Sequence, residues 1–482
     1  MRHDFLRKHA LLLVIILSGG ILRITSLNLP VSYDEAYTYI AFVRQDVWGI
    51  LSDYSLPNNH ILNSLLIKLS TNLLGNHPWS VRIPALMAGL AAILVVYALG
   101  KRLFNHETAL TASALVAWLP AIIRYDTAAR GYSLVSVFTL LAWLMGWLAL
   151  QKNDWRYWLG ISMSVALGAF AIPTMALPAG GLYLWVLGEA LLRGEKRTVV
   201  YLRWLASTFF AGLLTLGLYV PVLLVSGWRK LLANGFVEPV EREIYFSKVL
   251  WRQLGATWDL WNLDMPLALA VLIILGMILS LVFSRRIAAT RLHLAVPMLI
   301  WIALYLILRR PNAFDRFWSF ILAPAMLWAS VGWLSVVYSL KLGRFYSHQI
   351  VAVLSVFVLG WVTLLSLPNI QQNWNKLSNV EAMAIELKKG LQSDDMVLVG
   401  YPNDASSWYY LERLGVDDKV WNVRPNFGRA FVVVSAYYEQ TPERVIRDNK
   451  LDPALFDLAG ATQLGRIGFL EAYLIMPVPF EQ

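Results

Sequence analysis

Long apolar runs alternate with short polar or basic connections along residues 1–369, and beyond residue 370 the pattern changes to short apolar stretches within a polar background. A helix needs about 20 apolar residues to cross the hydrocarbon core of a bilayer. Runs near that length cover residues 10–27, 82–103, 108–124, 132–150, 156–171, 174–192, 204–226, 265–284, 292–309, 317–339 and 350–368. On hydropathy this predicts about eleven spans. Pro173 falls between two of these runs and divides them, because a proline interrupts the helical hydrogen-bond ladder. In the tail, Met396–Val399 and Phe431–Val434 read as strands and Val380 to Leu391 as a helix, which predicts a small α/β domain over residues 370–482. No internal repeat is visible, so the paired-repeat architecture of many secondary transporters gains no support.

Charge orients this threading, because lysine and arginine favour the cytoplasmic side of short loops. With the N-terminus inside, the inner connections hold Arg2, Arg7 and Lys8; Lys101 and Arg102; Lys152 and Arg156; Arg193, Lys196, Arg197 and Arg203; Arg285, Arg286 and Arg291; and Lys341 and Arg344. Every second connection is basic, and merging the two runs around Pro173 would move the later clusters outside. The expected fold class is therefore an all-α polytopic membrane bundle, N-terminus in and C-terminus out. Residues 1–369 form the membrane domain, with outer loops 28–81 and 227–263, and the tail is a small extracytoplasmic α/β domain.

Composition agrees with this class. The chain has 482 residues, of which 58% are hydrophobic and only 15% charged, and a mean hydropathy of +0.54, outside the range of ordinary soluble domains. Many of its 21 tryptophans, including Trp48, Trp79, Trp118, Trp228, Trp261 and Trp374, fall near predicted span ends, where amphipathic rings sit at headgroup level. A net charge of +10 is compatible with nucleic-acid binding, but the basic residues are dispersed among short loops as topology signals. The absence of cysteine excludes disulfides, thiolate metal sites and cysteine nucleophiles. The basic and then apolar N-terminus lacks a small-residue cleavage site and reads as a retained first span.

Chemistry-bearing residues gather on the side predicted to lie outside. Tyr33-Asp34-Glu35 follows the first span; Asn58-Asn59-His60 and Arg82 come next in the first outer loop; Arg124-Tyr125-Asp126 and Ala129-Arg130-Gly131-Tyr132 follow; Arg309-Arg310 and Asp315-Arg316 come last. Adjacent helical residues diverge by about 100°, so Asp34 and Glu35 do not address the same atom. Arginines clustered outside run against the positive-inside bias and suit an anionic headgroup. Arg229-Lys230 and Glu241-Arg242-Glu243 read as a solvated charged helix, and Asp404 and Asp417-Asp418 as surface residues of the tail. His293 and His348 show no metal-ligand spacing, and no glycine-rich nucleotide motif is present.

Taken together, Tyr33-Asp34-Glu35, Asn58-Asn59-His60, Arg82-Ile83-Pro84-Ala85 leading into Tyr97–Phe104, and Ala129–Leu134 resemble the polyprenyl-phosphate-sugar glycosyltransferases of the GT-C fold, in the branch with protein O-mannosyltransferases and the lipid A aminoarabinose transferase. The likeness covers roughly residues 20–140, with weaker support from Asp315-Arg316-Phe317 and Pro324. It departs from the pattern after His60, where Ile61-Leu62 replaces prolines.

The resemblance implies a multi-pass protein of the bacterial inner membrane, with its active site on the extracytoplasmic side. Its partners would be a polyprenyl-phosphate-linked sugar, membrane lipid and an extracytoplasmic hydroxyl acceptor that is a lipid, a glycan or a protein. Asp34 would be the catalytic base with Glu35 beside it, and Arg130, Arg316 and Arg82 would hold the donor phosphate. Tyr33, Asn59, His60 and Tyr132 would line the substrate site. A carboxylate within hydrogen-bond reach can take the acceptor proton, arginines can stabilise the leaving phosphate, and a single displacement inverts the anomeric carbon. A divalent ion bridging Asp34, Glu35 or His60 to phosphate is compatible with this chemistry, though no cofactor is demanded by the spacing. The rival class, a transporter or flippase for a lipid-linked or anionic substrate, would place its charges near the midplane. Here they lie mostly at span ends.

Overall fold

The computed structural model describes residues 2–232, 238–339, 353–361, 364–365 and 378–478. Lys341, Arg344, His348, Trp374 and residues 350–352, 362–363 and 366–368 of the predicted span 350–368 lie outside the described residues. The chain is mostly helical with one small sheet, and it divides into two compact units. One contains residues 1–27, 47–70 and 81–370; the other contains residues 28–46, 71–80 and 371–482. Two pieces of the segment 28–81, which a linear partition at residue 369 leaves with the helical part, thus cluster with the tail.

In the first unit, six helices among the described residues are long and apolar enough to cross a membrane: Pro78–Leu103, Tyr132–Lys152, Pro173–Leu192, Thr198–Val225, Leu267–Arg286 and Asp315–Ser339. A seventh span results if the bent pair His106–Trp118 and Pro120–Asp126 is counted as one. Several of the remaining predicted runs are shorter helices, Ala10–Ile24, Trp155–Ala171 and Ala295–Arg309. Ile61–Leu74, read from sequence as part of a loop, is a short apolar helix. The helix after Trp155 ends at Ala171 and resumes at Ala176 across the turn Pro173–Met175. That break is the one the missing proline N–H requires.

The bend at Pro120 also explains a thoroughly bonded buried charge in the unit. Proline has no N–H to give the carbonyl four residues back, and the guanidinium of Arg23 occupies that region instead. Arg23 Nη2 donates to the Val116 carbonyl (3.0 Å) and Nη1 to the Ala117 and Gly19 carbonyls (2.6 and 2.9 Å). Nε and Nη2 donate to Asp126 Oδ2 at 3.0 and 2.7 Å. Arg23 is fully buried, and neutralisation together with complete hydrogen bonding is what makes such burial tolerable. Neither partner was singled out for this role by sequence, because 103 residues separate them.

The second unit is built on a four-stranded sheet in the order β1-β2-β4-β3. Strands β1 (Met396–Val399) and β2 (Ala430–Ser435) are parallel, whereas β4 (Leu470–Ile475) is antiparallel to both β2 and β3 (Thr462–Ile467). Alternation sends Val397, Val399, Phe431 and Val433 to one core and Met396, Leu398, Val432 and Val434 to the other. Burial on both faces accounts for the unbroken apolar character of β1 and β2. The first core also takes Val380, Met383 and Leu387 from the helix Ser378–Gly390, Tyr409 and Tyr410 from the helix Asp404–Arg413, and Val31 and Ala36 from the segment 28–46. The β3–β4 hairpin was not read from sequence. Its two-residue turn, Gly468-Phe469, has Gly468 at φ +59°, the left-handed conformation that glycine adopts without a Cβ penalty.

Candidate active site

Within the first unit, a turn at Ala129-Arg130-Gly131 and the loop ahead of Ile61–Leu74 meet. The loop is pinned from within: Asn59 Nδ2 donates to the Ile50 and Asp53 carbonyls at 2.9 and 2.7 Å, and Asn59 Oδ1 accepts from Ser64 Oγ at 2.9 Å. Its far end is held by Ser226, whose hydroxyl accepts from Tyr54 N (2.8 Å) and donates to the Ser52 carbonyl (2.7 Å). Asn59, expected from sequence to line the substrate site, thus has its side chain engaged within the loop, and its neighbour Asn58 is the residue that meets Arg130. Arg130 Nη1 donates to the Asn58 carbonyl at 2.9 Å and Nη2 to Asn58 Oδ1 at 3.2 Å.

His60 sits against the same turn. Its Nδ1 accepts the Gly131 N–H at 2.9 Å, and the approach is close because a Cβ on Gly131 would lie 3.3 Å from the His60 Cβ and 3.1 Å from Ile172. Burial pushes the His60 imidazole well below its usual pKa, and the charges of Arg130 and then Arg316 add to the effect. A neutral ring whose Nδ1 accepts carries its proton on Nε2. That nitrogen is 3.2 Å from Arg130 Nη2, so two donors face one another. An oxygen anion received by both would relieve the conflict.

Aromatic rings wall this cluster. Tyr132 packs edge-on to His60 at 5.3 Å and to Tyr125 at 5.2 Å, and the Arg130 guanidinium lies 6.0 Å from the Tyr132 ring. Tyr125 donates its hydroxyl to Asp315 Oδ2 (3.0 Å) and accepts from Trp261 Nε1 (3.2 Å), which ties the Asp315-Arg316 segment to the same end of the unit. Arg124 crosses to the helix Leu250–Asn262, donating to the Leu260 carbonyl and to Asp264 Oδ2, each at 3.0 Å. That helix buries only Gln253 and Thr257, whereas Arg229, Lys230, Glu241, Arg242 and Glu243 are exposed, in keeping with the solvated reading. Arg82 is fully buried, with Nη1 donating to the Leu27 carbonyl at 2.8 Å.

Asp34 and Glu35 belong to the second unit, on the short helix Tyr33–Thr38. Ser32 N and Oγ donate to Glu35 Oε2 at 2.9 and 2.8 Å. Ser32-x-x-Glu35 is thus a capping-box sequence, a signal available in the chain but not recognised from it. Glu35 is buried and Asp34 half-exposed. The segment is fastened to the tail's core by Val31 N donating to the Tyr410 hydroxyl at 2.8 Å, and by Arg44 pairing with Glu412 and Asp418. Tyr33 packs against Tyr401 at 5.1 Å and Tyr37 at 5.9 Å. Its phenol is raised above the ordinary range by burial, then by the negative charge of Asp404. Asp404, expected on the surface, is instead half-buried and its carboxyl is raised by burial. Among the described residues no group of three or more His, Cys, Asp or Glu side chains is arranged to hold a metal ion.

Residues 59–232 match the family model described as dolichyl-phosphate-mannose-protein mannosyltransferase. Among curated proteins none matches the chain. Among solved structures, ArnT from Cupriavidus metallidurans in the apo state is similar with a TM-score of 0.61 at 12% identity, covering 96% of this chain and 97% of that one. The same protein bound to undecaprenyl phosphate gives 0.55 at 13% identity over 97% and 98% of the two chains. The archaeal oligosaccharyltransferase AglB from Archaeoglobus fulgidus, in complex with an inhibitory peptide and a dolichol-phosphate, gives 0.53 at 13% identity, covering 99% of this chain and 77% of its own. At these identities the likeness is one of fold.

Proposed function

We propose that this chain, which resembles the GT-C glycosyltransferases in both its family match and its fold, is an integral membrane enzyme that moves a sugar from a polyprenyl phosphate to an extracytoplasmic hydroxyl. The observation that carries this reading is the pair of facing donors, Arg130 Nη2 and His60 Nε2, 3.2 Å apart, with Arg316 acting on the same imidazole. Such a cluster suits a phosphate oxygen, and preorganised donors stabilise the charge that grows on a leaving phosphate. Two of the similar solved structures hold a polyprenyl-type phosphate by their own descriptions.

In this reading Asp34 accepts the proton of the attacking hydroxyl, and Glu35 holds the helix that presents Asp34. The sugar passes in one displacement with inversion, while Arg130 and Arg316 receive the lipid phosphate. Tyr132 and Tyr33 contribute walls, Asn59 and Arg82 keep their segments in place, and the reaction runs on the outer face of a bacterial inner membrane. The experiment is release of polyprenyl phosphate from a labelled donor by the purified protein in lipid. Release that requires an acceptor and is lost in Asp34→Asn supports the reading. Movement of intact donor across the bilayer without release would instead make the chain a flippase.

A further inference from the structure

The parallel strands β1 and β2 end side by side at Val399 and Ser435, and the carboxyl ends of parallel strands are where α/β folds receive ligands. The two loops that leave them are tied together. Gly400 N donates to the Val433 carbonyl at 3.1 Å, and Gln440 bridges the loops by donating Nε2 to the Tyr401 carbonyl (2.7 Å) and accepting Ser435 N at Oε1 (3.0 Å). This rigid edge displays aromatic rings to solvent: Tyr401 is 67% exposed, Tyr437 74% and Tyr438 44%. Tyr437 rests on Tyr438 at 5.0 Å and Phe469 at 6.3 Å, while Tyr401 meets Tyr33 next to Asp34.

Polar atoms at the same edge lack partners. Asn403 Nδ2, Asp404 Oδ1 and Ser435 Oγ are buried with no hydrogen bond among the described residues. They offer a donor, an acceptor and a group that can be either, and buried polar groups left in this state call for a partner.

We propose that this edge is a carbohydrate-binding platform, with Tyr401 and Tyr437 as stacking faces and Asn403, Asp404 and Ser435 as hydroxyl partners, and that the acceptor of the transfer is a glycan. A sugar ring matches both features at once, since its C–H face packs on aromatic rings and its hydroxyls both donate and accept. Tyrosines can also anchor a protein in lipid headgroups. The acids at this edge, Asp34, Asp404 and Glu439, argue against an anionic headgroup layer as occupant. The naming of the bound glycan as acceptor rests on the transferase reading; the platform itself does not.

Hydroxyl-radical footprinting of the full chain in lipid nanodiscs, with and without a panel of free mono- to tetrasaccharides, tests this. Tyr401 and Tyr437 should be labelled without sugar and protected severalfold by at least one saccharide, and Asp404→Asn and Ser435→Ala should weaken that protection. Labelling that no saccharide alters, or rings already shielded by the bilayer, overturns the platform whether or not the protein releases polyprenyl phosphate. Protection by a polyprenyl-phosphate-sugar donor alone overturns the acceptor assignment. Protection by free saccharides in a protein that releases no polyprenyl phosphate keeps the platform and removes the transferase reading.

Discussion

Glu35 Oε2 receives both the backbone N–H and the hydroxyl of Ser32, at 2.9 and 2.8 Å, so the acid next to Asp34 closes the first turn of the helix on which Asp34 sits. The two adjacent acids should therefore separate by experiment. Glu35→Ala is expected to cost about 1 kcal/mol of stability, the value of a lost cap, and to lower activity through Asp34's position. Asp34→Asn should leave the melting temperature unchanged and reduce transfer by about 10²- to 10⁴-fold, the usual contribution of a general base. Melting curves and donor turnover for both variants decide the matter, and an active Asp34→Asn enzyme would remove the base assignment.

The Arg23–Asp126 pair has side chains 0% and 4% exposed. Breaking a buried pair on one side typically costs about 3–5 kcal/mol, because it leaves a charge without compensation. Arg23→Met should be the more damaging change, since it also strips donors from the Val116 and Ala117 carbonyls at the Pro120 bend. The yield of monodisperse protein and its unfolding midpoint in detergent provide the measure. Equal tolerance of Arg23→Met and a conservative surface change would contradict this account.

His60 sets a pH dependence of known sign. Its folded pKa lies well below the ordinary imidazole value, so the unfolded chain binds a proton that the folded chain refuses as pH falls through about 6.5. The stability contributed by neutral His60 is present above that pH and is lost progressively on acidification. Melting temperatures taken from pH 8 down to pH 5 should fall more steeply for the wild type than for His60→Asn, whose side-chain oxygen can still accept the Gly131 N–H. Parallel curves would mean that the ring is not held neutral.

Arg130 uses both terminal nitrogens on Asn58 while one of them also faces His60. Lysine is a point charge without that fork, so Arg130→Lys should not rescue function. Its donor turnover is expected to fall by about 10²- to 10³-fold, as when one preorganised donor to a developing oxyanion is removed. A turnover assay at saturating donor checks this, and wild-type rates in the lysine variant would exclude a phosphate role for the guanidinium.

Much of this architecture is written in local pattern. Apolar runs located the six or seven helices of spanning length among the described residues, because each span satisfies its own backbone hydrogen bonds and needs no partner to be recognised. The Pro173 break, strands β1 and β2 and the helix of residues 378–390 are legible for the same reason: periodicity and proline chemistry act over a few residues. The acidic, histidine and arginine motifs were visible as residue types out of place in an apolar chain. Their division of labour was not, and the Ser32–Glu35 cap shows that a local signal can be overlooked when a functional one competes with it.

By itself, the sequence determined that this is a mostly helical chain with several apolar spans, a small α/β tail and polar motifs out of place among them. Tertiary structure alone decided that Asn58 rather than Asn59 meets Arg130, that Arg23 neutralises Asp126, and that the segment bearing Asp34 packs into the core of the tail with Tyr409 and Tyr410. Hydrophobicity and periodicity are properties of neighbours along the chain. A salt bridge across 103 residues, or the choice between adjacent asparagines, depends on which atoms the finished packing leaves within 3 Å of one another.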